Sequence, residues 1–173
     1  KRTSASEYRL QGKGGKGNRS MSTKEEDYVN TVFTASTHDY VLFFTNMGRA
    51  YRRKGYQIPS SGKTAKGTNI VNILPVEPGE SVSAMISTRD ITAGDRFLVM
   101  VTRNGTVKRL PVESLRNLRN NGLRVLKLDE GDELISVRET DGDMNILIAT
   151  HDGSAVCFHE TDVRSMGREA MGV

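Results

Sequence analysis

The chain has 173 residues, 36% hydrophobic and 27% charged, a balance that excludes wholesale disorder and suits one ordinary domain with its own core. Its longest apolar runs, such as Phe97-Leu98-Val99-Met100-Val101, are far too short to cross a bilayer, and no signal peptide is visible. The net charge of +4 is modest, but its signs are sorted along the chain, which favours a polyanionic partner over a small ligand.

Residues 1–20 carry six basic side chains and one acidic. Among them lies Gln11-Gly12-Lys13-Gly14-Gly15-Lys16-Gly17, a stretch suited to lie against phosphate. Glycine lets an anion approach the main-chain N–H groups closely, and the lysines supply charge. Gly12, Gly14 and Gly17 also fit the G-x-G-x-x-G pattern of dinucleotide binding, which requires a buried strand before it and an apolar-faced helix after it. Neither flank qualifies, since Met21 is the sole apolar side chain between Gly17 and Asp27. Gly62-Lys63-Thr64 resembles the tail of a P-loop, yet Gln57 stands where the first glycine belongs.

From Tyr40 onward a unit of about 50 residues recurs. It opens with an apolar strand, a corner ending in glycine and a second strand: Tyr40 to Arg52, Phe97 to Arg109 and Ile146 to Phe158. A second glycine follows each corner at 19, 17 and 19 residues, pairing Gly48 with Gly67, Gly105 with Gly122 and Gly153 with Gly172. Strands are expected next at Ile70–Leu74 and Leu123–Leu128, then a turn at Pro78-Gly79-Glu80 or Glu130-Gly131-Asp132, then a closing strand at Val82–Ser87 or Leu134–Arg138. Four-stranded units repeated in this way imply an all-β fold of radially arranged blades. The organisation reads as a basic arm over 1–27, blade repeats over 28–95 and 96–143, and an incomplete third over 144–173.

The repeat aligns two basic clusters. Arg49, Arg52, Arg53, Lys54, Lys63 and Lys66 stand where Arg103, Lys108, Arg109, Arg116, Arg119 and Arg124 stand one repeat later, so they are expected to project as one track. Residues 128–143 are acidic by contrast, and the track weakens in the third repeat, where Arg164 and Arg168 meet Glu160, Asp162 and Glu169. His38-Asp39 and His151-Asp152 fall beside turns and read as turn residues. His159 has no partner at metal or triad spacing. Tyr51 and Tyr56 read as half-buried strand residues or as backbone contacts to nucleic acid. Cys157, the single cysteine, lies in the apolar run Ala155–Phe158, so a buried thiol and a reducing cytoplasm are expected. The start at Lys1, without a methionine, suggests a piece of a longer polypeptide.

With the heptad, the blade repeat and Thr45-Asn46-Met47-Gly48-Arg49-Ala50-Tyr51 together, the chain resembles the C-terminal domain of DNA gyrase A subunits. Gln11 to Gly17 is similar to the gyrase box, whose usual form is Gln, two basic residues, Gly-Gly, a basic residue and Gly; Gly12 replaces one basic residue. Tyr56-Gln57-Ile58-Pro59, Thr64-Ala65-Lys66-Gly67, Ile70-Val71-Asn72 and Glu77-Pro78-Gly79-Glu80 extend the resemblance over nearly the whole chain. It implies a β-pinwheel, here a partial set of six blades, that wraps double-stranded DNA around a basic rim with positive handedness. It also implies no catalytic residue, metal or cofactor in this domain. ATP and Mg2+ are implied for the holoenzyme alone, an A2B2 assembly with the gyrase B subunit in the cytoplasm, associated with the chromosome and not with membrane. Two alternatives stand beside this reading: the equivalent domain of topoisomerase IV, and a protein-interaction propeller. The absence of Trp and the basic loops disfavour the latter.

Overall fold

The computed structural model describes residues 1–19 and 21–173. Among these, no strand ladder forms before Tyr40. Strands β1 (Tyr40–Thr45) and β2 (Arg49–Lys54) make the first hairpin, in a register running from Tyr40 opposite Lys54 to Phe44 opposite Ala50. Its corner needs a left-handed residue, and Gly48 supplies it at φ 75°. A Cβ at Gly48 would stand 2.5 Å from the Leu126 carbonyl oxygen, so the glycine also admits the next repeat. β3 (Val82–Thr88) pairs with the far edge of β1, through a register shift between Phe44 and Thr45.

The second unit repeats this plan with β4 (Phe97–Thr102), β5 (Val107–Pro111) and, after β6 (Leu123–Arg124), β7 (Leu134–Thr140) in the order β5-β4-β7. β8 (Asn145–Ala149) and β9 (Ala155–His159) form a third hairpin. The fold is all-β, as expected, but the fourth strand of a blade is not its own. β6, from the second repeat, pairs with β2 and completes the sheet β3-β1-β2-β6. Val173 does the same one repeat on, exchanging two hydrogen bonds of 2.7 and 2.9 Å with Val107 on β5.

The exchange corrects two expected strands. Only Leu123–Arg124 of the segment to Leu128 forms a ladder, because only that part meets β2. Ile70–Leu74 is not a strand: Ile70–Asn72 forms a 3-10 turn, started by Asn69, whose Oδ1 accepts from the Val71 N–H. Its place in the repeat matches the strand-exchanging segment, and among the described residues no earlier hairpin stands ready to receive it.

Side chains alternate across each sheet, and successive blades stack on the result. Leu42, Phe44 and Ala50 from the first blade meet Leu98, Met100 and Leu110 from the second in one dry cluster. The other faces carry Val41, Phe43 and Tyr51 against Leu74, and Val99 and Val107 against Ile146, Ile148 and Phe158 of the third hairpin. That hairpin has two strands and an uncovered outer face, leaving Leu147 70% exposed. Cys157, opposite Leu147 in the register, is exposed as well, contrary to the buried thiol its apolar neighbours suggest.

Candidate nucleic-acid interface

The heptad forms a small closed loop. Gln11 reaches across it with both ends of its amide: Nε2 donates to the Gly17 carbonyl at 3.1 Å, and Oε1 accepts from the Gly17 N–H at 2.8 Å. Inside, the Gly15 N–H donates to the Gly12 carbonyl, with Gly14 left-handed at φ 78°. Lys13 and Lys16 are exposed. The arm carrying the loop lies along residues 58–67 of the first repeat. There Lys63 Nζ reaches Asn18 Oδ1 at 3.0 Å and stands 5.1 Å from the Tyr8 ring centre, and the Ser22 N–H donates to the Thr64 carbonyl. Heptad, Lys63 and the exposed Lys66 thus share one region.

The strand exchange joins the two basic clusters. In the β2–β6 ladder Arg49 stands directly opposite Arg124, an arrangement of like charges that costs stability and that Glu77, 3.6 Å from Arg49, relieves in part. All three arginines of the first cluster reach the loop that carries the second. Arg49 Nη2 donates to the Asn121 carbonyl at 2.7 Å, Arg53 Nη2 to Asn120 at 3.2 Å and Arg52 Nη1 to Arg116 at 3.3 Å. Arg116, Arg119 and Arg124 remain exposed. Lys54 and Arg52 lie over the Tyr40 ring, 3.5 and 4.9 Å from its centre. Burial lowers the proton affinity of the Arg53 guanidinium. Arg103 is exposed and held 3.3 Å from Glu133, as Arg116 is from Glu113.

Lys108 and Arg109 do not belong to this surface. Lys108 is 0% exposed, and its ammonium donates to the carbonyls of Val125, Arg168 and Ala170 at 2.7, 2.8 and 2.9 Å. Burial pulls its pKa down from 10.5 to about 8, with Glu169 opposing. Arg109, 8% exposed, donates through Nε to Glu160 Oε1 at 3.1 Å and lies over the Phe97 ring. Glu160 also accepts from Thr140 Oγ1 and the Met144 N–H, so this ion pair is enclosed and both oxygens of its carboxylate are hydrogen-bonded. Both cations fasten the second repeat to the third.

Lys1 and Arg2 play the same part on the first repeat, a role that charge counting missed. Arg2 bridges Ser60 as Arg109 bridges Ser165, and Lys1 Nζ donates to the carbonyls of Gly62, Lys63 and Ala65. The visible signal was the recurring Lys-Arg pair, followed in both cases by a 3-10 turn and a left-handed glycine, Gly17 or Gly122. By this correspondence the heptad is itself a blade-connecting loop.

Of the tyrosines, Tyr51 is fully buried, its phenol donating to Glu80 and pushed up to about 12 by burial and that carboxylate. Tyr56 is exposed and meets His38 edge-on. His159 hydrogen-bonds Thr161 and Asp143.

A model of the DNA gyrase C-terminal domain, described as a beta-propeller, matches residues 1–36, 39–89, 96–141 and 145–173. The chain belongs to the DNA gyrase A C-terminal domain family. The matched segments begin a new unit near each hairpin and treat 1–36 as a unit too, in keeping with the correspondence of Lys1-Arg2 to Lys108-Arg109. The chain is 47% identical over its whole length to the DNA gyrase A protein of Clostridium acetobutylicum, and 48% identical over 98% of its length to that of Streptococcus pyogenes serotype M1. It spans 21% and 20% of those proteins. Among solved structures it matches the C-terminal domain of DNA topoisomerase IV at a TM-score of 0.78 and 28% identity, over 90% of this chain and 48% of that one. It matches the DNA gyrase A C-terminal domain at 0.76 and 28%, over 98% and 54%.

Proposed function

We propose that this chain is the part of a gyrase A protein that binds and wraps duplex DNA without taking part in strand cleavage. The observation that carries the reading is the β2–β6 ladder, which sets Arg49 against Arg124 and brings the arginines of two repeats onto one edge. Glu77, 3.6 Å from Arg49, answers part of the facing charge, and phosphates spaced along a duplex would supply the counter-charge for the rest of the arginine edge. The contact surface comprises Lys13 and Lys16 of the heptad with Arg49, Arg52, Arg53, Lys54, Lys63, Lys66, Arg103, Arg116, Arg119 and Arg124. Such a surface reads no bases. It neutralises phosphates along a curved path against a bending cost of about 1–6 kcal/mol per 20–30 base pairs.

Wrapping with positive handedness would present a crossing segment to the cleavage core, so that the A2B2 holoenzyme with gyrase B, using ATP and Mg2+ elsewhere, introduces negative supercoils in the bacterial cytoplasm. The structural likeness to topoisomerase IV supports a second reading, as that enzyme's DNA-binding domain. The heptad favours gyrase. Ligating nicked circles with the complete polypeptide should give a positive linking-number change. Contact with about 6–10 phosphates should lower affinity roughly 10³- to 10⁵-fold between 50 and 200 mM salt. A shallow salt slope removes the wrapping reading, and a holoenzyme that relaxes but never supercoils selects topoisomerase IV.

A further inference from the structure

We infer that Gln11 is a positioning residue whose side-chain amide closes the heptad into the shape that meets phosphate; this rests on the DNA-binding reading of the heptad above. The amide pairs with Gly17 as a strand would, donating to its carbonyl and accepting from its N–H. It ties the two ends of the loop at one point. Lys13 and Lys16 are then presented from a short closed turn, and the conformational freedom of an open glycine-rich segment is removed before DNA arrives.

The glycines fit this closure individually. A Cβ on Gly15 would stand 2.6 Å from Gln11 Oε1 and 3.0 Å from Gln11 Cβ, so Gly15 is the residue that leaves room for the amide. Gly14 and Gly17 are left-handed, at φ 78° and 74°, a conformation L side chains rarely adopt. Gly12 has neither constraint: its conformation is ordinary and a Cβ there would meet no atom within 4 Å. The position of the heptad that departs from the usual basic residue is thus the one glycine of the four at which both the space and the backbone admit a side chain.

The test uses the complete polypeptide containing this chain and measures the concentration giving half-maximal linking-number change on nicked circular DNA. Gln11→Met keeps the side chain's length and removes both hydrogen bonds. Gly15→Ala leaves Gln11 intact but displaces its amide. Each should raise the half-maximal concentration about tenfold, the ratio two exposed hydrogen bonds sustain, with the melting temperature unchanged. The double variant should be no worse than either single one, since both remove the same closure. Gly167→Ala, in an open loop, serves as the control for adding a methyl group. Amide exchange at Gly17 should accelerate in both single variants without DNA. A wild-type response of Gln11→Met, or losses that multiply in the double variant, overturns the positioning role while leaving Lys13→Ala and Lys16→Ala still defective. If those lysine variants bind and wrap normally, the heptad's DNA contact fails and the positioning role falls with it.

Discussion

Lys108 offers the sharpest quantitative check on how the blades are held. Its ammonium is enclosed by three carbonyls, one from its own repeat and two from the next, and its pKa falls from 10.5 to about 8 because burial disfavours the charged form. Below pH 8 both folded and unfolded chains carry the charge, and the burial penalty is fully present. Between about 8 and 10.5 the folded chain releases its proton while the unfolded chain keeps it, so stability rises with pH in that window. At about 1.4 kcal/mol per pH unit the gain is on the order of 3 kcal/mol. The neutral amine still has two N–H donors for the carbonyls. Lys108→Met removes the titration altogether. Urea unfolding of wild type and variant at pH 7, 8, 9 and 10 should therefore give stability curves that diverge in favour of wild type as pH rises. Parallel curves would refute the reasoning, because they would mean that the carbonyl dipoles compensate the charge and leave the lysine an ordinary base.

Three further perturbations separate the other devices. Glu160→Gln strands the Arg109 charge in a buried site and should cost about 3–5 kcal/mol, read as a lower urea midpoint. Gly122→Ala places a methyl group 2.6 Å from the Tyr51 ring at φ 84°, whereas Gly105→Ala meets only the backbone penalty at φ 89°; the first should destabilise by clearly more than the roughly 1 kcal/mol of the second. Gly12→Arg should fold normally, tighten DNA binding and steepen the logarithmic salt dependence by about one, as one added phosphate contact requires.

How far the sequence was legible follows from where each pairing partner lies. The hairpins were readable because strand, glycine corner and strand are contiguous, and a left-handed Gly48, Gly105 or Gly153 marks each corner. The exchanged strand was not, since Leu123–Arg124 is two residues long and its partner β2 lies about 70 residues earlier in another repeat. Lys108 looked like a rim cation because its neighbours Arg103 and Arg109 are basic. Yet the same repeat places it level with Tyr51, on the face that packs inward, and its acceptors are main-chain carbonyls that no side-chain pattern reveals. Cys157 misled in the opposite direction: apolar neighbours imply burial only when something covers the face, and the third hairpin's outer face is bare.

The way the cations are anchored predicts which of them act on DNA. An arginine fixed by a carboxylate is positioned but neutralised, whereas one fixed by a backbone carbonyl is positioned with its charge intact. Arg52 and Arg53 are of the second kind, donating to Arg116, Asn120 and Ile73 carbonyls. Arg103 is of the first, paired with Glu133 at the hairpin corner. A duplex resists bending, so cations already locked along the curve lose less freedom on contact than flexible ones. Arg52→Ala and Arg53→Ala should each therefore weaken DNA binding at 50 mM salt and flatten the salt slope by about one. Arg103→Ala should change the slope by much less, because Glu133 must first give up its partner. Titrating all three variants of the complete polypeptide at several salt concentrations decides the matter. Equal losses at the three positions would show that simple cation number, and not the manner of anchoring, governs the interface.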